Sequence, residues 1–182
     1  QVAQNHYAQA IRIYQEHDLQ PALASAEAAL AELLLHTGEL QNARVHAEAA
    51  RAVAESLGPA GRHWEACLLL QRIAEAEGDE EKIIHWRSRT HEAFAASPEA
   101  ERVRESWGQL IEAVIKSCRG EAMDAETVEL VESLEKNEEW EALAIAIWRI
   151  LGGERGSDLY EYLDHIDALV IRTILQKLEG DE

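Results

Sequence analysis

The stretch GDEEKIIHWRSRTHEAF, Gly78–Phe94, gathers two histidines, a tryptophan, two arginines and four carboxylates into seventeen residues. Such a density suits a catalytic or metal cluster, and equally one amphipathic helix of a repeated unit. Periodicity separates the two. Ile83, Trp86, Thr90 and Ala93 fall in an i, i+3, i+7, i+10 stripe, which is a helix packing face. His85 and His91 are six residues apart, about 240° around a helix of 3.6 residues per turn, so they cannot share a ligand. Gly78 with Asp79 reads as a turn followed by a capping side chain. The stretch is therefore predicted to be a turn and the second helix of a repeat, not a reactive centre.

The rest of the chain has the same vocabulary. Its 182 residues give room for one or two domains. Alanine and leucine lead the apolar residues, and only three prolines and ten glycines interrupt them. Those two residue types carry the lowest helical cost, and no alternating strand-like run competes, so an all-α fold is expected. Turn signals at residues 17–18, 37–39, 58–61, 78–79, 97–98, 119–120, 136–137 and 152–153 divide the chain into about nine helices. All three prolines fall near an expected helix start, where the missing N–H costs nothing. Asp158 with Glu161 has the spacing of a capping box.

The turns also repeat. Gly38 and Gly78 are each followed by an acid and an amphipathic helix, and the next equal step leads to the break ending at Gly120. Paired helices recurring every 34 to 40 residues are the signature of a helical solenoid. The chain resembles the tetratricopeptide repeat family at specific positions. Leu30, Ala31 and Leu34 match the core of its helix A, Gly38-Glu39 its turn, and Ala43, Ala47 and Ala50 its helix B. Leu70 and Ala74, Gly78-Asp79 and Ile83 repeat the series, although Arg87 and Thr90 depart from it. Trp107, Leu110 and Val114 give a weaker third unit. The lengthened second helix is similar to repeats of bacterial maltose-regulator-type activators and signalling ATPases. The resemblance implies a right-handed superhelical solenoid of antiparallel helix pairs over residues 1–120. Residues 121–182 are expected to continue or cap it.

Charge and chemistry narrow the function. The net charge is −18, and residues 98–182 hold 21 acids against nine bases. That surface repels phosphate backbones and anionic lipid, so neither nucleic acid nor membrane is an expected partner. Solubility is the ordinary explanation of the charge; a docking face for a basic partner is the sharper one. Cys67 and Cys118 are too few for a disulfide framework, no glycosylation sequon follows any asparagine, and no apolar run is long enough for a membrane span. A cytoplasmic setting is expected. A chain opening at Gln1 is expected to be a piece of something longer.

His63 and Cys67 share a helical face but lack two further metal ligands. HWEAC also has Cys67 where a metalloprotease motif needs its second histidine. GGERGS lacks the Lys-Ser/Thr of a phosphate loop. No catalytic residue, metal or cofactor is nominated, and an enzyme is not expected.

The family binds partners on the concave face lined by its first helices. Carried over by position, that face holds Ala28, Glu32, Leu35 and His36, then Glu65, Leu68, Arg72 and Glu75. In the weaker third unit it holds Glu105, Gly108, Glu112, Ile115 and Lys116. Lysines and asparagines that clamp a peptide carboxylate in one subgroup are absent, which points to a basic or amphipathic protein or peptide as ligand. The alternative is a self-associating structural or regulatory domain. On that reading the N-terminal helix lacks a partner, and Tyr7, Ile11 and Tyr14 form a bare stripe that pairs with a second copy.

Overall fold

The computed structural model describes residues 2–180, and every regular element among them is helical. The α-helices are α1 (Val2–Glu16), α2 (Gln20–His36), α3 (Leu40–Ser56), α4 (His63–Glu77) and α5 (Glu80–Ala95). They continue as α6 (Pro98–Ser106), α7 (Gly108–Cys118), α8 (Ala125–Glu135), α9 (Glu141–Leu151) and α10 (His165–Glu179). The all-α expectation holds, with one helix more than the turn signals suggested. The extra break is at Trp107. Its N–H closes α6 on the Val103 carbonyl at 3.0 Å, and its own carbonyl accepts the Ile111 N–H of α7 at 2.9 Å. The indole packs on Trp140, ring centroids 5.2 Å apart, so tertiary packing bends a segment whose local sequence reads as continuous helix.

The chain forms two compact units, the first ending at Pro98 and the second beginning at Glu99. In the second unit α7 shares its apolar core with later helices. Leu110, Ile111 and Val114 cluster with Leu143, Ile147 and Ile174.

In the first unit each helix packs on its neighbours in sequence, and α2 also packs on α4. The turns explain the regularity. Glu39 N–H reaches the Leu34 carbonyl at 2.9 Å and Gly38 N–H the Leu35 carbonyl at 3.1 Å, with Gly38 at φ +77°. Asp79 and Gly78 repeat this on Ala74 and Glu75, and Leu19 and Asp18 on Tyr14 and Gln15. This is the Schellman closure, which needs a left-handed residue. In this unit left-handed residues occur at 18, 38, 58 and 78, with a further one at Arg62, and the helices step by roughly twenty residues. The turn signals at 17–18, 37–39, 58–61 and 78–79 mark these breaks in the sequence, with Asp18, a non-glycine at φ +52°, filling the first of them.

Caps follow the expected chemistry in one place and shift in another. Asp79 accepts the Lys82 N–H at 3.1 Å, as its position predicts. The Asp158/Glu161 box does not form. The last helix starts later, capped by Asp164, which accepts the Ile166 and Asp167 N–H groups at 2.7 and 2.9 Å. Asp158 is held instead by Arg149, and Glu161 accepts the Ser157 hydroxyl.

Candidate interaction surfaces

The Gly78–Phe94 helix packs as its periodicity requires. Ile83, Thr90 and Ala93 are buried, Trp86 is half-buried, and the Thr90 hydroxyl donates to the Trp86 carbonyl at 2.9 Å. His91 is buried and His85 exposed, on separate faces. Among the described residues no group of three histidines, cysteines or carboxylates is placed to hold a metal ion. Cys67 is 1 % exposed, and burial pushes its thiol up to about 11, which makes it unreactive. No described helix is long and apolar enough to cross a membrane.

The first surface is the face shared by α2 and α4. Glu32 and Arg72 occupy the same station on the two helices. Arg72 Nη1 donates to Glu32 Oε1 at 2.9 Å across a sequence separation of 40 residues. Leu35 and Leu68 are half-buried beside them on the same helix faces, and Ala28 is half-buried one turn earlier. His36 is exposed and donates from Nδ1 to the Glu32 carbonyl at 2.8 Å. Glu65 pairs with Arg62 at 2.8 Å, and Glu75 accepts from Gln71 at 2.8 Å. Glu32 and Arg72 are thus in contact across the two helices, and Glu32 and Glu65 each carry an ion pair while Glu75 carries none among the described residues.

The third set belongs to the second unit. Glu112 is exposed and bound by Lys177 of α10, whose ammonium holds its carboxyl below the usual range. Lys116 is exposed. Ile115, mapped to the groove from sequence, is 1 % exposed and belongs to the core, because α7 is packed by α9 and α10 together. Gly108, Glu112 and Lys116 do line a cavity, a cleft of about 610 Å³ between α7 and the start of α8. Its other walls include Glu121, Met123, Glu126 and Leu130, none of which a repeat pattern marks.

The N-terminal stripe is not bare. Ile11 is 8 % exposed, and Tyr7 and Tyr14 are packed against a core that includes Leu23, Leu30 and Leu34. The helix α1 has a partner, α2, and Gln4 Nε2 donates to Glu39 at 2.7 Å from its far end. Tyr7, Ile11 and Tyr14 are therefore packed within the fold, where the sequence suggested a bare stripe.

Two buried acids went unnoticed in the sequence. Glu27 is 5 % exposed and accepts from His46 Nδ1 at 2.6 Å, tying α2 to α3. Its place four residues from both Leu23 and Ala31, on the apolar stripe, was the available signal. Asp167 is 2 % exposed and its Oδ1 has no hydrogen-bond partner. Burial, with Asp164 and Glu139 nearby, pushes its pKa up to about 7.

No family model, curated protein or solved structure matches the chain.

Proposed function

We propose that the chain is a protein- or peptide-binding helical module without catalysis of its own. On this reading its first unit is a tetratricopeptide-like, right-handed array presenting the α2/α4 face to a basic or amphipathic ligand. The observation that carries the reading is the Glu32–Arg72 pair, which puts equivalent stations of two successive first helices side by side. The half-buried Leu35 and Leu68 next to it supply apolar area, and exposed Glu75, bonded among the described residues only to the neutral Gln71 amide, supplies negative charge. A cytoplasmic setting belongs to the same proposal, supported by the free thiols of Cys67 and Cys118. The alternative, self-association through Tyr7, Ile11 and Tyr14, is less favoured because these side chains pack against the first unit's core.

A peptide display library selected on the whole chain tests this. Enriched peptides should be basic and amphipathic, and should lose binding to a Leu35→Glu/Leu68→Glu variant shown by circular dichroism to be folded. If no enriched peptide loses binding to that variant, the α2/α4 face is removed from consideration.

A further inference from the structure

The second unit carries a cleft that the repeat pattern does not explain. It opens between α7 and the Glu121–Asp124 turn leading into α8 and measures about 610 Å³, within the range of sites that enclose part of a ligand. Beside Ala113 and Ala122, its apolar lining comes from three large side chains of graded exposure: Leu110 buried, Met123 half-buried and Leu130 42 % exposed. An exposed leucine beside a concave apolar wall costs solvation that a ligand side chain would relieve.

The charges around this wall are one-sided. Glu112 is neutralised by Lys177, and Asp124 is engaged in capping α8 through the Thr127 N–H at 2.8 Å and its hydroxyl at 3.0 Å. Glu121 and Glu126 have no ion pair or side-chain hydrogen bond among the described residues, and Lys116 is the cleft's one basic lining residue. The wider field has the same sign: residues 121–141 contain nine acids and a single base, Lys136. A negative rim around an apolar floor selects a cationic, amphipathic guest.

We infer that the α7/α8 cleft docks a cationic amphipathic segment of a partner protein. One large apolar side chain seats against Leu110, Met123 and Leu130, while flanking lysines or arginines meet Glu121 and Glu126. The site is independent of the α2/α4 face and stands or falls without it.

Met123 is the sequence's one methionine, so methyl-¹³C labelling places a single reporter in the cleft wall. The probe is a synthetic helical peptide of about five turns, with leucines on one face, lysines on the other and one tryptophan. Titrated into the whole chain, it should shift the Met123 methyl signal saturably. Glu121→Lys/Glu126→Lys should weaken binding by about tenfold or more. Reversing Glu132 and Glu135, exposed acids of α8 outside the cleft, should change it by less than about twofold. Ala113→Trp, which fills the cleft, should abolish the shift; Leu130→Glu, at an exposed position, does the same work if that variant does not fold. The Met123 methyl titration reads the cleft alone, since neither Leu35 nor Leu68 lines it, which keeps this result separate from the α2/α4 reading.

Equal loss on reversing Glu132 and Glu135 would mean attraction to bulk negative charge and would overturn the proposal. So would equal binding of the same peptide with glutamate for lysine, or no binding at millimolar peptide. A Met123 shift that follows protein concentration without peptide would hand the cleft to a second copy of the chain.

Discussion

The two units solve the same problem, burying helix faces, with opposite materials. The first is built on alanine: Ala31, Ala43, Ala47, Ala50 and Ala74 are all at most 1 % exposed. Small side chains let helix axes approach closely, so the unit can grow by adding helices in sequence order. The second is built on large aliphatics. Of the largest fully buried side chains only Leu70 and Ile73 belong to the first unit, and the others, among them Ile111, Leu143, Ile147 and Ile174, belong to the second. There α7, α9 and α10 pack on one another, closing around α9 instead of extending. Repetition is therefore expected to fail after residue 98 even though helix content does not. The local signals for a helix are the same in both units; the size of the buried side chains is not.

The contrast can be broken at its centre. Ile147 lies in the middle of α9 and is fully buried. Ile147→Ala should cost about 2–5 kcal/mol, since removed volume cannot be refilled by neighbours packed from three helices. Urea unfolding, with amide exchange read in α7–α10, measures it. A loss below about 1 kcal/mol would mean that α9 is not the centre of that core.

The first unit should fail in the other direction. Ala47→Leu adds volume at a crossing where nothing is exposed, and should cost about 1–3 kcal/mol by overpacking. Thermal melting checks it. An unchanged curve would show that α3 has room at Ala47, and the argument from close approach would fall with it.

How much of this was legible follows from the same physics. Leu30, Ala31, Leu34, Ala43, Ala47, Ala50, Leu70 and Ala74 were placed at core positions by the resemblance to a repeat family, and all are buried. Their burial is set by helix geometry and a short turn, both local. What the sequence did not yield depends on distant residues. The Trp107 break requires Trp140, the displaced start of α10 requires Arg149 to claim Asp158, and the burial of Ile115 requires α9 and α10. The candidate surfaces divide in the same way. Glu32 and Arg72 were found by repeat register, whereas Met123, Glu121 and Glu126 sit on a turn that no periodicity describes.

The second unit also carries an electrostatic cost that the first avoids. Glu27 is buried but has His46, whereas Asp167 is buried with an orphan oxygen. Asp167 is raised from 3.8 to about 7, so its protonated form is the one the fold favours. Below the unfolded value both states are protonated and nothing is lost. Between about 4 and 7 folding takes up a proton and stability falls as pH rises, and above about 7 the penalty is complete. Burial lowers the pKa of His165, which works the other way as pH falls, so the variant must be compared with wild type at each pH. Asp167→Asn should gain about 1–2 kcal/mol at pH 8, the relieved charge outweighing a buried amide, and lose that advantage by pH 5. Urea midpoints at the two pH values decide it, and a gain that does not change with pH would show that Asp167 is not the titrating group.

The smallest effect is the one most tied to function. Glu32 and Arg72 have side chains 52 and 42 % exposed, and exposed pairs of this kind contribute about 0–1 kcal/mol. Exchanging them, Glu32→Arg with Arg72→Glu, keeps one charge of each sign and should leave the melting temperature nearly unchanged. Peptide selection should change far more, because the exchange inverts the charge pattern along the α2/α4 face while Leu35 and Leu68 stay in place. A large loss of stability would make the pair a structural clasp between the helices. Unchanged stability with altered peptide preference would make it part of a recognition surface, the role in which charge governs choice of partner more than affinity.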